Sequence, residues 1–234
     1  MENLKHGTTE QRKKVAHQIV WARWAERNLR FKTRRTVEQY SLDIPILLPI
    51  LDFYMAHGLT RNVLDLGAGD QLRAVTQLGS MNEYSSLHFL ATVLRYRRSF
   101  LNSTVPVHAT SAEMLREFPD DSLDVIIGVH SISYSVAPEL VAMRLFKALS
   151  GGGLVVASCK YKYDRNTREK TATQLEQSFV NSGFDVQVLK LHPKTKIEHD
   201  ILLARKPSFI KSFDPNINIF SYLSLIRSRS NPTG

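Results

Sequence analysis

The stretch NVLDLGAGDQ, residues 62–71, decides how the rest of the chain is read. It begins as a short apolar strand, ends that strand on Asp65, and passes at once into Gly67 and Gly69. A strand that runs straight into a glycine turn and then a helix aims backbone N–H groups and the positive helix end at one point. The missing side chains let a ligand come close. A third glycine two places further on would complete a familiar nucleotide-binding turn, and Gln71 stands there instead. As a signal the turn is weak alone, so its meaning depends on what surrounds it.

After Gly58, short apolar runs alternate with longer mixed ones, the pattern of a sheet with crossover helices. The predicted strands are NVLDL (62–66), SLHFLAT (86–92), VPVHA (105–109), LDVIIGV (123–129), GLVVASC (153–159), FDVQVLKL (184–191) and HDILLAR (199–205). Predicted helices run near Gln71 to Leu78, Thr92 to Leu101, Ser111 to Glu117, Pro138 to Leu149 and Thr171 to Ser182. The last two strands have no helix between them, which predicts a closing antiparallel hairpin. The fold class expected is therefore α/β: a doubly wound, Rossmann-like sheet, mostly parallel with an antiparallel last strand. Its ligand crevice lies at the carboxyl ends of the central strands.

Upstream of the sheet, Val15, Ile19, Ala22, Ala25 and Leu29 recur every three or four residues, one stripe on a helix that Trp21 and Trp24 widen. A second apolar helix is expected from about Ser41 to His57, with Pro45 near its start and Gly58 ending it. Residues 1–59 thus read as a basic helical extension, 60–206 as the main domain and 207–234 as a tail.

The chain has 234 residues, 43% of them hydrophobic and 23% charged, with a formal net charge of +9 and a single cysteine. That length supports one sizeable core, and no apolar run approaches the roughly 20 residues of a membrane helix. A soluble, cytoplasmic protein without membrane attachment is expected, because no apolar stretch follows the first charges as a secretory signal would require. Cys159 alone excludes an internal disulfide and a multi-cysteine metal site, and no metal is expected.

Residues 1–35 hold ten Lys or Arg against three Glu, a net +7, so the excess charge sits at one end. Three basic clusters stand out. One contains Arg12, Lys13 and Lys14, a second Arg95, Arg97 and Arg98, and a third Lys160 and Lys162, with Tyr96, Tyr161 and Tyr163 interleaved in the last two. Aromatic faces beside cations suit RNA or another polyanion, although any one such run is also what a solvated surface looks like.

Further pieces follow the glycine turn in order: EFPDDSLDVIIGV (117–129), RLFKALSGGGLVVASC (144–159) and FVNSGFDVQVLKL (179–191). With VLDLGAG they resemble the class I S-adenosylmethionine-dependent methyltransferases, most closely the small single-domain ones, over roughly Thr60 to Lys206. The resemblance implies S-adenosylmethionine as cofactor. Its methionine part would be held by Asp65, Gly67 and Gly69 with main-chain contact at Ala68, while Ser111 and Ala112 would line the adenine side. His130 and Tyr134, in GVHSISYS (128–135), would lie where such folds meet their acceptor, His130 as a general base. A histidine hydrogen-bonded within its loop would look the same.

Two departures stand out. The acid that should end the second strand and take the ribose hydroxyls is replaced by Ala91, and the acid beside the adenine by Ser111, with Glu83 and Glu113 as the nearest substitutes. Each lost charge-assisted hydrogen bond typically costs about 1.5–3 kcal/mol. The Asn/Asp-Pro-Pro-Tyr signature of exocyclic amine methylation is absent. Lys160 and Glu198 are similar to two members of the ribose 2′-O-methyltransferase tetrad, whose aspartate is missing near Val129.

Three expectations stand side by side. The first is an S-adenosylmethionine-dependent methyltransferase acting on an anionic acceptor, RNA foremost, with room for an activating protein partner. The second is a methyltransferase fold that has lost cofactor affinity and serves as an RNA-binding or scaffold protein. The third, a nicotinamide dinucleotide site, fits SGGGLVV (150–156) less well.

Overall fold

The computed structural model describes residues 51–56, 61–68, 72, 78, 81, 84–93, 103, 105–110, 112–115, 118–129, 131–160, 170–190 and 199–208. Seven strands form one sheet: β1 (Asn62–Asp65), β2 (His88–Val93), β3 (Val107–Ala109), β4 (Leu123–Val129), β5 (Leu149–Lys160), β6 (Asp185–Lys190) and β7 (His199–Arg205). Their order is β3-β2-β1-β4-β5-β7-β6. β7 runs antiparallel to both neighbours, and every other pairing is parallel. The expected hairpin is therefore present, with β7 inserted between β5 and β6. A dinucleotide-binding fold would instead carry its strands in the order 3-2-1-4-5-6.

The central strands are apolar on both faces because both are covered. On one face Val63, Val125, Ile127, Leu154, Val156, Ile201 and Leu203 pack with Leu51, Phe53 and Tyr54 of the helical stretch 51–56. On the other, Leu64, Ile126, Val155, Ala157 and Leu202 meet helix α1 (Pro138–Ala148) and helix α2 (Ala172–Asn181). The alternation along each strand follows the two-residue period of extended chain. Phe179 of α2 sets a ring against Phe184, which in turn meets Phe146 of α1 edge-on. α2 begins in a capping box, where the Thr171 hydroxyl accepts from the Gln174 N–H while the Gln174 side chain accepts from the Thr171 N–H.

The amino end of the sheet is tied by side chains that the sequence places at strand starts. Asp124 accepts from the Arg61 and Asn62 N–H groups at 2.8 and 2.9 Å and from the Ser150 hydroxyl at 2.8 Å, joining β1, β4 and β5. Tyr54, buried, donates to the Gly152 carbonyl at 3.0 Å, and burial pushes its phenol pKa upward. Lys206 Nζ donates to Asp121 at 2.6 Å and to the Leu149 carbonyl at 2.7 Å, beside the Phe146 ring.

Four expectations are corrected. The triple glycine is no separate turn before a strand at Gly153, because β5 already starts at Leu149, paired with Leu123. Between that pair and Val125↔Leu154, β4 advances two residues while β5 advances five, a bulge that Gly152 enters at φ +85°. α1 accordingly ends at Ala148 rather than Leu149. No helix starts at Thr92, since Thr92 and Val93 pair with His108 and Ala109 of β3. Around Ser111 to Glu117 the described helical residues are a single 3-10 turn, Ala112–Met114. Of the second predicted helix, residues 51–56 are helical; the rest of it and the basic helix of residues 9–31 lie outside the described residues. Among the described residues no helix is long and apolar enough to cross a membrane.

Candidate functional site

The chain runs outward from β1 to β2 and β3 and then crosses back to β4, so the strand order reverses between β1 and β4. Open α/β sheets bind ligands in the crevice above the carboxyl ends of strands at such a reversal. Here that crevice has the turn after Asp65 on one side and the loop after Val129 on the other.

Asp65, 2% exposed, ends β1 opposite Ala91. Each N–H of the following turn is committed inside the sheet. Leu66 donates to the Ile127 carbonyl at 2.8 Å, Gly67 to the Thr92 hydroxyl at 2.9 Å and Ala68 to the Thr92 carbonyl at 2.9 Å. The expectation that these amides point at a ligand is therefore corrected for residues 66–68, and Ala68, buried, offers no free N–H. An anion such as a pyrophosphate finds no donor there.

Thr92 is thus the anchor of the turn, a role that sequence reading missed by ending the second strand at Thr92 and starting a helix there. Ala91 is fully buried inside β2, two residues before its end, and is no stand-in for the expected acid. None of the β2 residues, HFLATV, carries a carboxylate. Thr92→Val keeps the shape and removes the acceptor of the Gly67 N–H. Because this hydrogen bond is part-buried, its loss costs about 0.5–1.5 kcal/mol, and chemical denaturation should show a loss of that size. A loss below about 0.5 kcal/mol would show that the turn does not depend on this hydroxyl.

Gly67 is required twice. Its φ is +74°, and a Cβ added there would lie 2.6 Å from Ser131 Cβ. Ser131 follows β4 and opens the 3-10 turn Ile132–Tyr134, so the β1 and β4 loops touch at these two residues. The loop is held from two further sides. Glu113, 4% exposed, accepts from the Val136 N–H at 3.1 Å. The Lys170 N–H donates to the Ser133 carbonyl at 2.9 Å, and its Nζ donates to the Ser135 carbonyl. Burial lowers the Lys170 pKa, and the carboxylates of Glu113 and Glu139 raise it in part.

Glu113 therefore serves the loop after β4 rather than standing in for an adenine-binding acid. Its spacing from Ser111 pointed to the region but could not show that it accepts from the Val136 N–H, 23 positions later. Lys170 gave no sequence signal beyond the end of a basic run.

Of the predicted site residues, Asp65, Gly67 and Ala68 come together with Ser131. Ala112 packs, partly buried, against the second core cluster, and Tyr134 is 37% exposed at the loop's outer side. Gly69, Ser111 and His130 lie outside the described residues, as do Arg12, Lys13, Lys14, Arg95, Arg97, Arg98, Lys162, Glu83 and Glu198. Lys160 ends β5 opposite His199 of β7. Among the described residues no group of three His, Cys, Asp or Glu could hold a metal ion.

No family model matches the sequence, and no curated protein sequence matches it either. Solved structures do match. The Burkholderia thailandensis 1,6-didemethyltoxoflavin-N1-methyltransferase, with bound 1,6-didemethyltoxoflavin and S-adenosylhomocysteine, superposes with a TM-score of 0.60 at 14% identity, over 82% of this chain and 90% of that one. The (4+2)-cyclase SpnF gives 0.53 at 16% identity, over 69% and 81%. The CurJ carbon methyltransferase gives 0.51 at 15% identity over 64% of this chain, which spans about half (49%) of that protein's length. The strand order, the antiparallel β7 and these superpositions agree: the chain has the fold of the class I S-adenosylmethionine-dependent methyltransferases.

Proposed function

We propose that the protein is an S-adenosylmethionine-dependent methyltransferase acting on an anionic acceptor, RNA foremost. The observation that carries this reading is the strand reversal between β1 and β4, where the Gly67 turn and the Ser131 loop meet at the carboxyl ends of the two strands. The neighbour from Burkholderia thailandensis that shares the fold was solved with S-adenosylhomocysteine bound. The residues present fit the amino-acid end of such a ligand: a buried carboxylate at Asp65, a glycine with no room for a side chain, and a hydroxyl at Ser131.

When bound, S-adenosylmethionine supplies a methyl group already activated on a sulfonium. The chain then has to align an acceptor and, where needed, remove its proton. In this reading Asp65, Gly67 and Gly69 hold the amino-acid end, and Ser111 and Ala112 line the adenine side. Tyr134 faces the acceptor, and His130 takes its proton, as suits an imidazole that titrates near neutrality. The acceptor class rests on the charge of +9 and on the three basic clusters.

A second reading is favoured by one specific observation. β2 has no carboxylate and Glu113 is committed to Val136, so the ribose and adenine side lacks the usual acids among the described residues. That would suit a methyltransferase fold kept for RNA binding or scaffolding. The fold alone does not fix the reaction, since the (4+2)-cyclase SpnF shares it.

Isothermal titration with S-adenosylmethionine and S-adenosylhomocysteine separates the readings. Micromolar binding that Asp65→Ala abolishes is expected. No heat at millimolar ligand sinks the methyltransferase reading for the isolated chain. A parallel RNA titration should weaken steeply with salt, because neutralised phosphates release counterions.

A further inference from the structure

The peptide group between Ser135 and Val136 is held at its two ends by opposite charges. Its carbonyl accepts from Lys170 Nζ, and its N–H donates to the Glu113 carboxylate at 3.1 Å. An ammonium at the oxygen and a carboxylate at the hydrogen favour the same direction of the peptide dipole, and such charge-assisted hydrogen bonds are about twice as strong as neutral ones. A flipped peptide would turn its oxygen toward Glu113 and its N–H toward Lys170, opposing both charges at once. The two contacts therefore select one orientation. The Lys170 main-chain N–H also donates to the Ser133 carbonyl at 2.9 Å, so a single residue grasps the chain on either side of Tyr134. Ser133 and Ser135 are buried, and Tyr134 between them is turned outward.

Neither charge belongs to the loop itself. Glu113 lies in the 3-10 turn after β3, and Lys170 stands next to Thr171, the cap of α2. Burial disfavours the Lys170 charge, while the carboxylates of Glu113 and of Glu139, at the start of α1, favour it. Glu139 in turn accepts from the Ser178 hydroxyl of α2 at 3.2 Å. We propose that Glu113 and Lys170 are a positioning pair for the acceptor: gripping the Ser135–Val136 peptide from opposite ends, they fix the loop that presents Tyr134. The inference rests on the functional reading above, which puts Tyr134 at the acceptor, and deepens it by naming the residues that aim this side chain. Both act through the loop and take part in no bond making or breaking.

The test compares the full chain with its Lys170→Met, Lys170→Arg and Glu113→Gln variants. Amide hydrogen exchange is followed by NMR without ligand at Val136 and, as an internal standard, at Ile126 of β4. On the same proteins, methyl transfer from labelled S-adenosylmethionine to total RNA is measured, together with S-adenosylhomocysteine affinity.

Lys170→Met leaves the Glu113 carboxylate in place, yet exchange at Val136 should rise about tenfold, the worth of one hydrogen bond, with Ile126 unchanged and Lys170→Arg close to the wild type. Glu113→Gln keeps an acceptor without the charge and should raise the Val136 rate by a smaller factor. Methyl transfer should fall at least about tenfold in Lys170→Met, since misaligned reactants lose rate steeply, and recover in Lys170→Arg. S-adenosylhomocysteine affinity should stay unchanged, because Thr92 anchors the Gly67 turn separately. An unchanged Val136 rate in Lys170→Met overturns the inference, since the two charges would then act independently. A rise shared by Ile126 is global loosening and overturns it as well, as does a local rise with undiminished methyl transfer. If exchange behaves as expected but the wild type transfers no methyl group, the methyltransferase reading falls and takes the acceptor role of the pair with it, while the grip on the peptide stands.

Discussion

Gly67→Ala should destabilise the protein by about 2–5 kcal/mol and abolish ligand binding at the crevice. Two effects add. A non-glycine residue held at φ +74° pays roughly 1–2 kcal/mol of backbone strain. Forcing a methyl group to within 2.6 Å of Ser131 Cβ adds the roughly 1–3 kcal/mol typical of overpacking. They can be separated. Adding Ser131→Gly removes the collision but not the strain, so the double variant should recover part of the loss and no more. Urea denaturation of the wild type, both single variants and the double variant reads this directly. A Gly67→Ala protein within about 0.5 kcal/mol of wild type would mean that the turn can swing away from the β4 loop, and the crevice described here would not be rigid.

The second large effect belongs to the opposite end of the sheet. Asp124→Ala removes three hydrogen bonds at once, those from the Arg61 N–H, the Asn62 N–H and the Ser150 hydroxyl. Hydrogen bonds to charged acceptors contribute about 1.5–3 kcal/mol each, but the Arg61 donor is exposed and regains water. A net loss of about 2–4 kcal/mol follows. Ligand affinity should be untouched in the protein that remains folded, because Asp124 starts β4 and the crevice lies beyond its other end. A fall in affinity without a fall in stability would contradict this division between the two ends of the sheet.

The contrast between Asp124 and Thr92 shows what could be seen in advance. Asp124 is the one polar residue of the apolar run LDVIIGV (123–129), and the sheet puts it where that pattern implies, at the strand start. Thr92 did not stand out, because a threonine near the end of an apolar run looks like ordinary strand. Its role depends on Gly67 lying beside it across the β1–β2 pairing, 25 positions earlier in the chain. Glu113 and Lys170 were hidden for the same reason, and Thr92 and Val93 extend β2 instead of starting the expected helix because pairing with β3 outweighed local propensity, residues 94–101 lying outside the described residues.

Local information was sufficient to locate the strands, while their order in the sheet came from the tertiary structure. Apolar periodicity located seven strands, two of them to the residue at 123–129 and 199–205, and the missing helix before β7 announced its antiparallel direction. Such features depend on residues near one another in sequence, where side-chain period and turn chemistry act directly. The glycine turn was legible too, because a positive φ and a close approach both call for the same residue. Only the tertiary structure decided what the turn touches: that Thr92 takes its amides, that Ser131 fills the space a side chain would need, and that Glu113 and Lys170 fix the loop bearing Ser131. Each is a contact between segments brought together by sheet pairing, whose partners no local pattern encodes.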